Sequence, residues 1–73
     1  MISYDPFFKT LEEKHVSQYA LLNKFCFSSG TLDRMRNNEP LNLRTIEYLC
    51  SVLNCPVEDI VNITPDPSLI KTP

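Results

Sequence analysis

Apolar residues recur along this chain at three- and four-residue steps, and the clearest stripe is Ile46, Leu49, Cys50 and Leu53. That spacing puts the side chains on one face of an α-helix. Leu11 with Phe7 or Phe8 forms an earlier stripe, and Leu21, Leu22 and Phe25 another; together they outline a small helical core. The segment around Gly30 differs, because only Leu32 and Met35 fall on an apolar side, with Gly30, Asp33, Arg34 and Asn37 opposite. A helix there turns most of its surface outward.

The helix boundaries are marked by side chains. Three times an apolar residue precedes a capping residue, with a second apolar residue four positions after the cap: Val16-Ser17 with Leu21, Phe27-Ser28 with Leu32, and Leu41-Asn42 with Ile46. Each fits an N-cap joined to a hydrophobic staple. Asp5-Pro6 adds a cap followed by proline at the first helical position, and Cys55-Pro56, with Glu58 and Asp59 next, marks a weaker fifth start. Gly30 is the only glycine, so the helices must stop on other residues; His15, Asn38 and Asn54 fall just past three helical patterns. These types tolerate the left-handed conformation.

Helices are therefore predicted near 5–14, 17–25, 28–37, 42–53 and 56–62, an all-α compact bundle of about five short helices. Ile2 with Tyr4, and Val61 with Ile63, also alternate as in short strands, which allows a small ribbon joining the two ends. Residues 1–64 read as one domain, and 65–73, PDPSLIKTP, as a proline-rich irregular tail.

Length narrows the function classes. Seventy-three residues make one small domain, too short to enclose a deep catalytic cleft, so an interaction module is favoured and no enzyme activity is expected. The apolar residues, 42% of the chain, form no run near the roughly 18 that span a bilayer. The N-terminus MISYDPFFKTLEEK lacks the pattern of a secretory signal, and the expected location is cytoplasmic, with no membrane partner. Cys26, Cys50 and Cys55 show neither a C-x-x-C pair nor a metal spacing, and are read as buried reduced thiols; no metal or cofactor is expected. His15 is read as a helix stop rather than an acid–base group, and the glycosylation sequon at Asn62 as a coincidence in a cytoplasmic protein.

Charge changes the picture more than composition does. The net charge is −2, but from residue 14 to residue 44 five bases (Lys14, Lys24, Arg34, Arg36, Arg44) face only Asp33 and Glu39, leaving +3 there and −5 elsewhere. Such a split suits a protein with one face for a polyanion.

The second and third predicted helices are separated by only Cys26 and Phe27, as in a helix-turn-helix. The stretch SQYALLNKFCFSSGTLDRMRNN, followed by NLRTIEYLCSVLNC and VEDIV, resembles the lambda repressor and Cro-like (XRE) family of small helix-turn-helix DNA-binding regulators, over roughly residues 5 to 62. The resemblance implies double-stranded DNA as partner and assigns roles by position. Gln18 matches the family's frequent Gln against the DNA backbone. Ser28 matches the cap of the recognition helix, while Ser29, Gly30 and Arg34 match positions that face base edges. Thr31 matches a position near phosphate, and Arg44 one where the family often adds backbone contacts.

Physical reading adds to these assignments. Helices starting at Ser17 and Ser28 present free N–H groups to phosphates, with Arg36 and Asn37 further along the backbone side. Arg34 is the one long cation on the outward face, suited to guanine in the major groove. Asp33 either accepts from cytosine or holds Arg34 or Arg36. Gly30 leaves a bare backbone that a base pair can approach closely.

Two positions depart from the family pattern: Leu22 stands where the family usually has Ala, and Cys26 where the turn usually has Gly. The first requires repacking of the two helices, and the second would cost roughly 1 kcal/mol at a positive φ. The expectation is a sequence-specific DNA-binding transcriptional regulator, with a homodimer as one arrangement. The alternative is a protein-interaction module of antitoxin or antirepressor type on the same scaffold. On that alternative Arg34 and Arg36 are a solvated helix face. Tyr48 and Val52, off the core stripe, either pack on the fifth helix or form a dimer patch.

Overall fold

A computed structural model describes residues 1–25 and 27–70. The order is β1 (Ile2–Ser3), α1 (Asp5–Glu13), α2 (Gln18–Lys24), α3 (Ser29–Arg36), α4 (Leu43–Leu53), a 3-10 turn at Val57–Asp59, β2 (Asn62–Ile63) and a second 3-10 turn at Pro67–Leu69. No helix among the described residues is long and apolar enough to cross a membrane.

Three helix starts follow from the caps. Ser17 Oγ accepts from the Ala20 N–H at 3.0 Å, Ser28 Oγ from the Gly30 N–H at 3.1 Å, and Asn42 Oδ1 from the Thr45 N–H at 2.8 Å. The helices begin one residue after each cap, since a cap residue is itself extended. Asp5 is not a cap. It is the first residue of α1, whose N-cap is Tyr4 with no side-chain capping bond, while Ser3 Oγ takes the Asp5 N–H at 3.3 Å.

The stops are left-handed residues, as their types suggest. His15, Asn38 and Asn54 have φ of 56°, 56° and 51°. After α4 the Cys55 N–H reaches back to the Cys50 carbonyl at 3.1 Å, closing a Schellman-type end around Asn54.

Among the described residues, the expected all-α bundle of about five helices is corrected to four α-helices and a two-stranded ribbon. Ile2 pairs with Ile63 and Ser3 with Asn62, antiparallel. The segment expected as a helix at 56–62 makes only the 3-10 turn, whose N-cap Pro56 offers no side-chain capping bond. A longer helix would use the Asp59 carbonyl to accept from residue 63. Here that carbonyl accepts from Thr10 Oγ1 at 2.8 Å, and Ile63 leaves to pair with Ile2. Of the tail expected to be irregular, residues 65–70 hold one 3-10 turn capped by Asp66, whose carboxylate accepts from the Ser68 N–H and hydroxyl; these bonds lower its pKa.

One core joins the four helices. Tyr4, Phe7 and Leu11 enter from the N-terminal side, Leu21 from α2, Leu32 and Met35 from α3, and Ile46, Leu49 and Leu53 from α4. Phe27 and Ile60 fill the remaining space from the connections. Phe25, expected in the core, is 37% exposed, and Phe27 is buried instead, because α2 ends at Lys24 and leaves Phe25 as its C-cap. Cys50 and Cys55 are half-buried free thiols. Burial pushes both up in pKa, with Glu58 adding to the shift at Cys50 and with Cys50 and Asp59 adding to it at Cys55, against Lys14. Protonated thiols fit the packing role read from the sequence. Cys26, where the turn was expected to need a positive φ, lies outside the described residues, as do 71–73.

Tyr4 ties the amino terminus to the end of α3. Its N–H donates to Asn38 Oδ1 at 3.2 Å and its hydroxyl to the Glu39 carbonyl at 2.7 Å, while the ring is 2% exposed. Burial raises the phenol's pKa above its ordinary value, against a smaller opposing effect from the Leu41 backbone. An acid with a raised folded-state pKa favours the folded form fully below the unfolded value of about 10, and that contribution is lost as pH rises beyond it. Urea denaturation is expected to show the wild type losing stability above about pH 10 more steeply than Tyr4→Phe, which at neutral pH is about 1 kcal/mol less stable for its lost hydrogen bond.

The left-handed stops generate a second expectation. His15→Gly relieves a backbone penalty and raises stability by about 1 kcal/mol in the same measurement. Asn38→Gly brings no such gain, because the bond from the Tyr4 N–H is lost with the side chain.

Candidate nucleic-acid interface

The chain passes from α2 to α3 through residues 25–28, and backbone bonds hold both ends of that connection. The Phe25 and Phe27 N–H groups both donate to the Leu21 carbonyl, at 3.3 and 3.2 Å. From outside the motif, the Tyr48 hydroxyl of α4 donates to the Phe25 carbonyl. Neither reading offered for Tyr48 from the sequence included this bond, since nothing in the local pattern joins residues 23 apart.

Below this connection, Leu32 and Met35 anchor α3, at 1% and 0% exposed. Ser29, Gly30, Asp33, Arg34 and Asn37 are all exposed, so the periodicity placed the outward face correctly. Gly30 is helical without a positive φ, and a Cβ there would meet only Ser28 Oγ, at 3.4 Å. The fold itself does not call for glycine at this position.

The polar side chains divide into engaged and unengaged. Arg36 Nη1 donates to Asp33 Oδ1 at 2.7 Å, and Arg36 Nη2 donates to Gln18 Oε1, the first residue of α2. Of the alternatives for Asp33, the structure shows pairing with Arg36. Asn37 Nδ2 donates to the Asp33 carbonyl at 2.9 Å and so closes the end of α3. Among the described residues the Arg34 side chain has no hydrogen bond or ion pair. Its cation faces solvent.

The remaining site residues lie around this face. Ser17 and Ser28 are exposed and occupied as caps, Thr31 and Gln18 are half-buried, and Arg44 stands at the start of α4 with its side chain 89% exposed, 3.8 Å from Glu47. An exposed pair at that distance contributes little. The sequence reading missed the Gln18–Arg36 contact and the roles of Tyr4 and Asn38 behind α3. Complementary donors and acceptors were visible at those positions, but only the packed fold brings them together.

Comparison with known proteins agrees with this arrangement. The family model of the Cro/C1-type HTH DNA-binding domain matches residues 9–66. Among curated proteins, no sequence matches. The crystal structure of transcriptional regulator VanUg, in its form II, is similar to this chain with a TM-score of 0.78 and 26% sequence identity, covering 89% of this chain and 87% of that one. With four helices among the described residues, Phe27 buried in the α2–α3 connection, an outward polar α3 and a family match over most of its length, the chain belongs to the Cro/C1-type helix-turn-helix DNA-binding domain family.

Proposed function

We propose that this protein is a sequence-specific transcriptional regulator that occupies an operator through α3. The observation that carries the reading is the outward face of α3: a helix held by two buried side chains presents a small, polar surface with one uncommitted cation, Arg34. A major groove admits such a helix, and a guanidinium there can pair with the O6 and N7 of guanine. Family membership and the name of the similar structure, a transcriptional regulator, support it.

In this reading Ser29, Gly30 and Arg34 face base edges, with Asp33 beside them and held by Arg36. Ser17, Gln18, Ser28, Thr31, Asn37 and Arg44 follow the DNA backbone, and Arg36, bonded to Gln18, serves the same edge. Two copies on a near-palindromic site would place their recognition helices roughly 34 Å apart. The net charge of −2 and the small Ser29 and Gly30 favour the other reading, a protein-interaction module.

Selection from random duplex DNA separates the two. A regulator enriches a discrete sequence, and its affinity falls steeply with salt through counterion release; no enrichment at low salt assigns the scaffold to protein partners. On the enriched operator, Arg34→Ala is expected to weaken binding by about 1–3 kcal/mol and relax specificity at one base pair, with thermal unfolding unchanged. Gly30→Ala separates folding from recognition. Its helix gains about 0.5 kcal/mol in stability, while operator affinity falls because the added methyl meets the base pair.

A further inference from the structure

Gln18 opens α2 and Arg36 closes α3, and their side chains meet across the motif. A guanidinium carries donors and no acceptor, so only the carbonyl end of the Gln18 amide can face it. With Oε1 committed to Arg36, the Nε2 amino group is the end left to point away, and among the described residues it makes no hydrogen bond. That end carries two donors and no acceptor, which suits a phosphate oxygen.

Arg36 itself is well occupied. One Nη is on Asp33 at 2.7 Å and the other on Gln18. The Arg36–Asp33 pair is half to two-thirds exposed, so it adds little stability, but it fixes the plane of the guanidinium. Asp33, Arg36 and Gln18 thus form a relay of fixed orientation from the middle of α3 to the first residue of α2.

The geometry points to Arg36 as a positioning residue: it holds the Gln18 amide with its donor end outward for a DNA phosphate, instead of meeting phosphate itself. The inference rests on the DNA-binding reading above. An unheld Gln18 would sample both amide orientations, and the one offering its carbonyl oxygen to a phosphate is repulsive.

The test is a double-mutant cycle of Arg36→Met and Gln18→Ala, carried in an Asp33→Asn background, whose amide oxygen still accepts from Arg36 and which leaves no freed carboxylate to repel the DNA. Affinity is measured across salt concentrations for an operator enriched with the Asp33→Asn protein. Each single change is expected to weaken binding about tenfold, with the double variant no weaker than Gln18→Ala alone. Arg36→Met should leave the slope of log affinity against log salt unchanged. Additive losses, or a slope reduced by about 0.9, mean that Arg36 contacts phosphate directly and overturn the proposal. In the free protein, the heteronuclear NOE of the Gln18 side-chain amide is expected to fall in Arg36→Met; an unchanged value overturns the proposal without reference to DNA. If that NOE falls while the parent protein selects no duplex, the orienting contact stands and the DNA-binding reading fails.

Discussion

The burial of Leu32 and Met35 is the constraint on which the rest of this structure depends. Two side chains, three residues apart, fix the rotation of an eight-residue helix about its axis, and everything not on their side is turned outward. Larger apolar residues elsewhere on α3 would have buried more of it. The helix would then gain stability and lose its exposed polar face. The economy of its packing explains why its position is secured from outside: by Leu21 beneath the connection, by the Tyr48 hydroxyl on the Phe25 carbonyl, and by Tyr4 at its far end.

Tyr4 shows how a small domain closes without a long core. Its ring fills the interior while its N–H and hydroxyl satisfy Asn38 Oδ1 and the Glu39 carbonyl. Asn38 therefore stops α3 with its backbone and receives the amino-terminal strand connection with its side chain. Thr10 does similar work at the other pole, where its hydroxyl donates to the Asp59 carbonyl and the chain is released into β2. Buried polar groups in so small a protein must be paired, and each pairing here also directs the chain.

The charged side chains of α3 are not equivalent, although they are close in sequence. Arg36 is drawn back against Asp33 and Gln18, while Arg34, two positions earlier, points away from the protein with no partner among the described residues. Two residues along a helix is a rotation of about 200°, enough to place one cation against α2 and the other in solvent.

The helix boundaries were legible in the sequence because caps and stops are local. Ser17, Ser28 and Asn42 bond N–H groups two or three residues away, and His15, Asn38 and Asn54 act through their own φ, so no distant partner is needed. The outward face of α3 was legible for the same reason, as a periodicity of 3.6 contained within eight residues. Tertiary structure alone decided the rest. Phe27 rather than Phe25 entered the core, residues 57–63 became a turn and a strand instead of a helix, and Gln18 was given to Arg36. The first outcome follows from where α2 ends, the second from Thr10 and Ile2, which are distant along the chain, and the third from the packing that brings the start of α2 to the end of α3. Sequence by itself determined where the four helices begin and end and which way α3 and α4 face; only the fold determined which polar groups far apart in the chain meet, because a hydrogen bond requires two atoms within about 3 Å and the chain order does not set that distance between elements.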